Sequence, residues 1–388
     1  MLIFIYFGRL TYDKGIDIIL DTFSALAADS TTDSRQLHIY GTGPYTPQCI
    51  QEAQTDSQIT YHGRAKQEAI HERLQSAHYC LAPSRVVETF GKSALEAMQY
   101  GLPVIGFKKW WLGQFVTDEF AIDASDPVTH LTAIIKELLI QYTLTWVLPD
   151  RAVSQATAAA YSKDAWLTKV DQIIAPKEQP TSIDTQNTDT HKAPNTAQTI
   201  LYISDFISQI GWIETFLHES WALLQMHNYR VTLYGGTGRV SFLWLIYTAC
   251  NIPARRKTRR LAHKIKPTVI RYHSLFRRLW WTAILPKSAA TKHLITIHDL
   301  GYFHPYPSQL YDEKAIPAFT LQSWQAYGKT PVQKLLITAK FFSLALLHKR
   351  LSHTIDTRCV PSAFMVDILH HSRGIPKDRI IVLPHFTS

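Results

Sequence analysis

The chain has 388 residues, of which 46% are hydrophobic, and a formal net charge of +9 at pH 7. This length exceeds the usual size of a single hydrophobic core, so the composition predicts two globular domains. The four cysteines lie far apart, which argues against a zinc site and a disulfide framework and suits a reducing cytoplasm. Neither a signal peptide nor a run of about 20 apolar residues is recognisable, so we expect a cytoplasmic protein, soluble or peripheral.

The first predicted element is a strand that ends at Phe7 and leads into Gly8-Arg9-Leu10, with Lys14-Gly15 close behind. Two cations, Arg9 and Lys14, are therefore expected at the carboxyl end of this strand, where they can meet an anion. A later strand runs into Gly41-Thr42-Gly43. This pair lacks the third glycine of a dinucleotide-binding fingerprint and is a weak signal for that class.

The most informative segment lies between Pro83 and Gly101. An apolar strand ends at Pro83-Ser84, and a helical pattern begins near Gly91 and stops at Gly101. Glu88 is expected in the loop beyond the strand and Glu96 about a turn and a half into the helix, so both carboxylates can face one crevice. The N–H groups and the positive dipole end of this helix would meet an anion such as a diphosphate.

These motifs, in this order, resemble the C-terminal, donor-binding domain of the family 4 retaining glycosyltransferases, which have the GT-B fold. The resemblance covers residues 1–175. It implies that Arg9 and Lys14 hold the donor diphosphate. It implies further that Glu88 binds the hydroxyls of the transferred sugar and Glu96 the nucleotide ribose. The other donor-binding positions that it implies are Gly8, Gly41, Gly43, Ser84, Phe90, Gly91 and, in the second half of the chain, Gly211.

Residues 176–198 are polar and rich in Pro, Thr, Asn and Asp, and they predict a disordered, flexible linker. Residues 199–388 resemble, more loosely, the acceptor-type N-terminal domain of the same family. Its first strand leads into the phosphate-facing loop that contains Gly211. A later strand ends at His298, which the resemblance makes the active-site histidine. The predicted fold is therefore α/β, with two Rossmann-like domains of GT-B type joined by a flexible linker.

The order of the two halves is unexpected, because the donor domain of such enzymes follows the acceptor domain. Two explanations remain open. A circular permutation would rebuild one complete cleft, whereas the junction of two tandem enzymes need not. In the second case the chain is a noncatalytic nucleotide-sugar-binding fragment or scaffold. A nucleotide-sugar epimerase of similar architecture is a third interpretation, which the spacing of Glu88 and Glu96 disfavours.

The resemblance implies transfer of a hexose from a nucleotide-diphosphate sugar to an envelope polysaccharide or a lipid-linked acceptor, with retention of anomeric configuration. Catalysis is then electrostatic: Arg9 and Lys14 stabilise the departing diphosphate, while Glu88 and His298 orient the sugar. The sequence contains no Asp-x-Asp pair, so the two cations replace a metal. We therefore expect no metal and no cofactor.

A basic segment, 254–266, contains seven Lys or Arg and no acid, and residues 277–281 add basic and aromatic side chains. Residues 254–281 could therefore contact anionic lipid at the inner face of the cell membrane, which would suit a lipid-linked acceptor. The alternative is a solvated, basic helix face. Nucleic-acid binding is not expected, because no recognisable nucleic-acid-binding module accompanies the charge.

Tryptophan stands where the resembled family usually has glycine. Trp110-Trp111 replace Gly-Gly after a donor-domain strand, and Trp212 replaces the glycine after Gly211. An indole would block the close approach of the backbone to phosphate or sugar. The chain has 16 glycines, below a typical share of about 7%, and ten tryptophans. Either the loops are remodelled, or UGA, which some bacteria read as glycine, is translated here as tryptophan.

Overall fold

The computed structural model describes most of the chain, in two compact units. The first unit is built mainly from Met1–Ser162, and the second begins at Lys163 and ends at Phe386. Both are parallel α/β units, so the prediction of two Rossmann-like α/β domains is confirmed. The predicted linker, apart from Gln198, and Gly211 lie outside the described residues. The described residues are 1–175, 198–207, 212–236, 251–273, 275, 281–305, 316 and 319–386.

The first unit contains a five-stranded parallel sheet in the order β3-β2-β1-β4-β5. The strands are β1 Leu2–Phe7, β2 Arg35–Tyr40, β3 Ile59–Gly63, β4 Tyr79–Ala82 and β5 Val104–Gly106. Strand β1 pairs with both β2 and β4, with Phe4 opposite Leu37 on one side and Tyr79 on the other. The strand order thus reverses between β1 and β4, and ligands of open α/β sheets bind beyond the carboxyl ends of the strands at such a switch point.

Helices cover both faces of this sheet. They are α1 Ile16–Ala27, α2 Thr46–Thr55, α3 Gln67–Ser76, α4 Lys92–Gln99, α5 Pro127–Thr145 and α6 Arg151–Ala159. Successive strand residues point to opposite faces, so Phe4 packs with Phe23 and Leu131 on the side of α1 and α5, whereas Ile5 packs with Leu95 on the side of α4. Burial on both faces explains the nearly continuous apolar sequence of β1.

The second unit contains a six-stranded parallel sheet in the order β11-β10-β9-β8-β6-β7. The strands are β6 Thr199–Phe206, β7 Arg230–Gly236, β8 Val269–His273, β9 Lys292–Thr296, β10 Thr357–Val360 and β11 Ile380–Val382. The helices within the described residues are α7 Lys163–Ile174, α8 Trp212–Met226, α9 Ile252–Ile265, α10 Leu321–Gln325, α11 Pro331–Thr354 and α12 Ala363–Arg373. The switch point of this sheet lies between β6 and β8.

Helix α7 follows the first unit in sequence but packs on the second sheet. The ring of Trp166 meets that of Phe386 edge to face, with the centroids 5.2 Å apart. The Lys292 ammonium donates to the carbonyl of Ile173. The predicted first domain, 1–175, therefore extends beyond the first compact unit by this helix, because the apolar face of α7 is buried by side chains of the second unit.

The longest described helix has the length but not the composition of a membrane span. Helix α11 has 24 residues, which is long enough to span one, but it includes Lys334, Lys340 and Lys349. Within the described part of the chain, no helix combines the length and the apolar character that a membrane span requires.

Candidate functional site

The loops after β1 and β4 are fastened to each other at the switch point of the first unit. Gly15 has a φ of 72°, and a Cβ added there would lie 2.0 Å from the carbonyl oxygen of Pro83. Only glycine allows this approach. Arg85 donates to both carboxylate oxygens of Asp17, each at 2.6 Å. A bidentate pair of this kind holds the two loops in a defined relative position.

Three of the predicted site residues meet on these fastened loops. Lys14, from the loop after β1, forms an ion pair with Glu88, from the loop after β4. The hydroxyl of Ser84 donates to the same Glu88 carboxylate oxygen at 2.9 Å. The side chains of Lys14 and Glu88 are 24% and 15% exposed, so both remain partly accessible. A cation and an oriented carboxylate thus lie together at the carboxyl edge of the sheet.

Arg9 lies at the same edge but is more exposed. Its guanidinium is 61% exposed and pairs with Asp13, four residues later, at 3.0 Å. Exposed pairs of this kind contribute about 0–1 kcal/mol, so the guanidinium can exchange Asp13 for another anion at little cost. The hydroxyl of Tyr6 donates to the Arg9 carbonyl at 2.6 Å, and burial raises the pKa of Tyr6, which keeps this hydroxyl protonated.

The predicted glycines of the neighbouring loops lie where two backbones touch. Gly41 has a φ of 137°, and a Cβ added there would lie 1.8 Å from the carbonyl oxygen of Gly8. A Cβ added to Gly43 would lie 2.3 Å from the carbonyl oxygen of Leu10. The Leu10 N–H donates to the Thr42 carbonyl at 3.1 Å. These glycines therefore shape the edge of the sheet through backbone approach.

Glu96 occupies a second, separate hydrogen-bonded group. It is buried on α4, and one of its oxygens lies 2.7 Å from His71 Nε2 and 3.3 Å from Gln67 Nε2. Both partners are on α3, four residues apart and therefore on one face of that helix. Sequence reasoning missed His71 and Gln67. Their i, i+4 spacing is a signal for a shared face, but nothing in it indicates that this face meets α4.

The N-terminus of α4 is packed against an aromatic cluster. Gly91 is the N-cap residue and makes no side-chain cap. The ring of Phe90 lies 4.7 Å from that of Trp111, and a Cβ added to Gly91 would lie 3.0 Å from the Trp111 indole. Trp111 is 1% exposed and also contacts Phe115. The indole that was expected to obstruct the backbone therefore fills the core behind Gly91.

Two tryptophans adopt a backbone conformation that favours glycine. Trp110 has a φ of 52°, and Trp146, the C-cap residue of α5, has a φ of 56°. Non-glycine residues in this region bring Cβ close to the carbonyl oxygen that follows, and glycine is the usual residue where a helix ends in this way. The buried core tryptophan Trp324 shows no such conformation. Trp146 was not singled out from the sequence, yet it fits the hypothesis that some of these codons encode glycine.

Replacement of Trp146 with glycine is expected to stabilise the chain by about 1 kcal/mol, because it removes Cβ strain at a position that is 73% exposed. Chemical unfolding would measure this. Trp146→Ala is the matched control, since it removes the same indole but keeps Cβ. Equal stability of the two variants would contradict the expectation. The same hypothesis predicts glycine at 110, 111 and 212, and now also at 146, in peptides of the protein from its native host, and tryptophan detected by mass spectrometry at 110, 111 and 212 would contradict it.

His298 lies in the second unit, in a buried row of three imidazoles. Its Nε2 lies 2.8 Å from Nδ1 of His273 and its Nδ1 lies 3.2 Å from Nε2 of His385, with the rings stacked. Burial lowers the pKa of His298 to about 3 and that of His273 well below its usual value. His273 and His298 are therefore neutral at pH 7, and His298 is only 2% exposed. Sequence reasoning did not predict the bond to His385.

The residue types that bind metals do not cluster as a metal site in the described ranges of the chain. Within these ranges, no group of three or more His, Cys, Asp or Glu side chains is arranged to hold a metal ion. The cysteines Cys49, Cys80 and Cys359 are buried, free thiols, and burial raises the pKa of Cys80 to about 12, so this thiol is protonated.

A parallel α/β sheet with a cation, a hydroxyl and a carboxylate gathered at its switch point is typical of nucleotide-binding domains. The family model "Glycosyl transferases group 1" matches residues 2–140, which lie in the first unit. This match supports a glycosyltransferase domain in that part of the chain. No curated protein matches the sequence.

Several solved structures are similar to part of this chain. The pneumococcal O-GlcNAc transferase GtfA, in complex with UDP and GlcNAc, is 21% identical over 45% of this chain and 36% of its own, with a TM-score of 0.38. The catalytic domain of the Helicobacter pylori cholesterol-alpha-glucosyltransferase is 16% identical over 42% of this chain and 99% of its own, with a TM-score of 0.35. HepE of Anabaena, in complex with UDP-glucose, is 18% identical over 41% of this chain and 44% of its own, with a TM-score of 0.34. The chain thus spans about a third of the pneumococcal protein and less than half of HepE.

Proposed function

We propose that the chain is a glycosyltransferase of the family 4 retaining type, which binds a nucleotide-diphosphate sugar on its first unit. The observation that carries this proposal is the convergence of Lys14, Ser84 and Glu88 beyond the carboxyl ends of β1 and β4. The family match to residues 2–140 supports it. We also propose that the donor domain precedes the acceptor-type domain in this chain. This order arises either from a circular permutation or from the junction of two tandem enzymes.

The donor diphosphate is held by cations and by the N-terminus of α4. Lys14 exchanges part of its contact with Glu88 for a phosphate oxygen, and the exposed Arg9 exchanges Asp13 for another. The Lys92 N–H donates to the Phe90 carbonyl at 3.0 Å, whereas the next N–H groups of α4, those of Ser93 and Ala94, carry no side-chain cap and can donate to the same phosphates. These positive groups stabilise the diphosphate as it leaves, so no metal is needed at this point.

Glu88 orients the sugar, and Glu96 binds the ribose. Ser84 and Lys14 fix the Glu88 carboxylate, which accepts hydrogen bonds from sugar hydroxyls. His71 and Gln67 fix Glu96 in the same way. In the retaining reaction the bond from the anomeric carbon to the phosphate oxygen breaks. The acceptor oxygen then bonds to that carbon on the same face, and its proton passes to the leaving phosphate.

The acceptor belongs to the second unit. We infer a polysaccharide or lipid-linked acceptor at the cytoplasmic face of the membrane, with residues 254–281 near anionic lipid and His298 as the catalytic histidine. Residues 274 and 276–280 of this segment lie outside the described part of the chain. A noncatalytic nucleotide-sugar-binding protein is the second candidate. One observation favours it: both ring nitrogens of His298 are bonded to other histidines, and the side chain is almost fully buried.

Release of nucleoside diphosphate from a panel of nucleotide sugars, with and without glycan and lipid-linked acceptors, tests this proposal. We expect release that depends on an acceptor and is reduced by at least about 100-fold in Glu88→Gln, because the charge that orients the sugar is lost. Binding of a donor without release by any acceptor would identify the noncatalytic protein. Isomerisation of the sugar without an acceptor would identify an epimerase.

A further inference from the structure

A groove of about 560 Å³ lies in the second unit, at the amino ends of β8 and β9. Its basic lining residues are Arg259 and Lys266, from α9 and its C-cap. Ser288 supplies a hydroxyl, and Ile270 and Leu285 supply apolar walls. The hydroxyl of Thr291, which also lines the groove, donates to the Pro267 carbonyl at 3.1 Å. His298 follows the opposite, carboxyl end of β9, so the groove is separate from the proposed acceptor site. Its volume lies within the range of about 300–1,000 Å³ that is common for ligand sites.

The cations of the groove have no anionic partner in the described part of the chain. The side chains of Arg259 and Lys266 form no ion pair there, and no Asp or Glu lines the groove. The nearby Asp356 is neutralised by Lys287, at 2.7 Å. A phosphate group accepts hydrogen bonds from donors of this kind, two unneutralised cations beside the Ser288 hydroxyl.

Helix α9 continues this positive charge beyond the groove. Arg255, Arg256, Arg260 and Lys264 are exposed, and Ile252 at the start of the helix is 50% exposed. A helix with several exposed cations and an apolar residue at one end is suited to the surface of an anionic bilayer. The groove and the helix thus both favour an anionic ligand.

We propose that the groove binds the phosphate of an anionic phospholipid headgroup and so anchors the second unit to a membrane at a defined site. Arg259 and Lys266 contact the phosphate, the hydroxyl of Ser288 donates to it, and Ile270 and Leu285 contact the start of the acyl chains. This site deepens the membrane contact proposed above for residues 254–281 and rests on it, but it does not depend on donor binding or on transfer.

Co-flotation with vesicles of equimolar phosphatidylglycerol and phosphatidylcholine tests the proposal on the full chain. The groove variant is Arg259→Gln/Lys266→Gln. The control variant, Arg260→Gln/Lys264→Gln, makes the same change in charge on the same helix but outside the lining. We expect the groove variant to partition about ten-fold more weakly than the control, because charge-assisted hydrogen bonds to a bound phosphate exceed the general attraction of the surface.

Equal losses in the two double variants would overturn the proposal, because general attraction would then explain them. Calorimetric titration with glycerol phosphate is the second arm. Binding that the groove variant loses, with no difference between the variants on vesicles, would assign the groove to a soluble phosphate ester and overturn the membrane anchor. The single variants Arg259→Gln and Arg260→Gln repeat the comparison on two exposed helix positions, where folding is not at risk.

Discussion

Replacement of Lys14 with alanine is expected to weaken donor binding by about 30- to 100-fold, the usual cost of losing a hydrogen bond to a charged group. The substitution removes a cation from the diphosphate and leaves the Glu88 carboxylate, which is 15% exposed, without its ion-pair partner. Glu96→Gln is expected to act similarly on the ribose side, because it removes a buried charge that His71 and Gln67 orient.

Thermal unfolding in the presence of nucleotide sugars measures this effect, since a ligand that binds only the native state raises the midpoint. Lys136→Ala is the matched control. Lys136 also forms an ion pair in the first unit, with Asp29 at 2.8 Å, but it lies on α5 and not on the loops at the switch point. Undiminished stabilisation in Lys14→Ala would remove Lys14 from the donor site.

Lowering the pH from 7 to 5 is expected to destabilise the second unit by roughly 2 kcal/mol for each buried histidine that stays neutral, given an unfolded pKa of about 6.5. Burial lowers the pKa of His298 to about 3 and the pKa values of His293 and His348 to about 4. Below pH 6.5 these histidines bind protons in the unfolded chain but stay unprotonated in the folded chain. Stability is therefore constant above this pH and falls until the folded histidines titrate, near pH 3 to 4.

Urea unfolding of the second unit at a series of pH values would measure this dependence. His298→Gln is expected to reduce the slope by the equivalent of about one proton, because the glutamine does not titrate. His263→Gln, at an exposed position on α9, is the control and should leave the slope unchanged. A slope that is the same in the parent and in His298→Gln would contradict the imidazole row.

The sequence predicted the features that follow from strand order. Parallel strands place their carboxyl ends at one edge, so Lys14 and Glu88, 74 positions apart, could be expected near each other before the structure showed their ion pair. The bidentate ion pair between Arg85 and Asp17 was not predictable in this way. It depends on the approach of two loops that Gly15 permits, and no periodic pattern reports such an approach.

The hydrogen-bond partners of the buried polar residues were the larger omission from the sequence-based predictions. His71 meets Glu96, and His385 meets His298, only because particular helices and strands pack side by side. The position of α7 on the second sheet was missed for the same reason, since its apolar face alone does not say which sheet covers it. The αL conformation of Trp146 could not be predicted either, because tryptophan is not a residue that signals a helix C-cap.

Calorimetric titration of the chain with nucleotide-diphosphate sugars tests the central claim most directly. The account predicts binding of one sugar nucleotide at a single site, weakened in Glu88→Gln and in Glu96→Gln and unchanged in Lys136→Ala. If no nucleotide sugar binds to the folded chain, or if binding is the same in all of these variants, the assignment of the first unit as a donor-binding domain is contradicted.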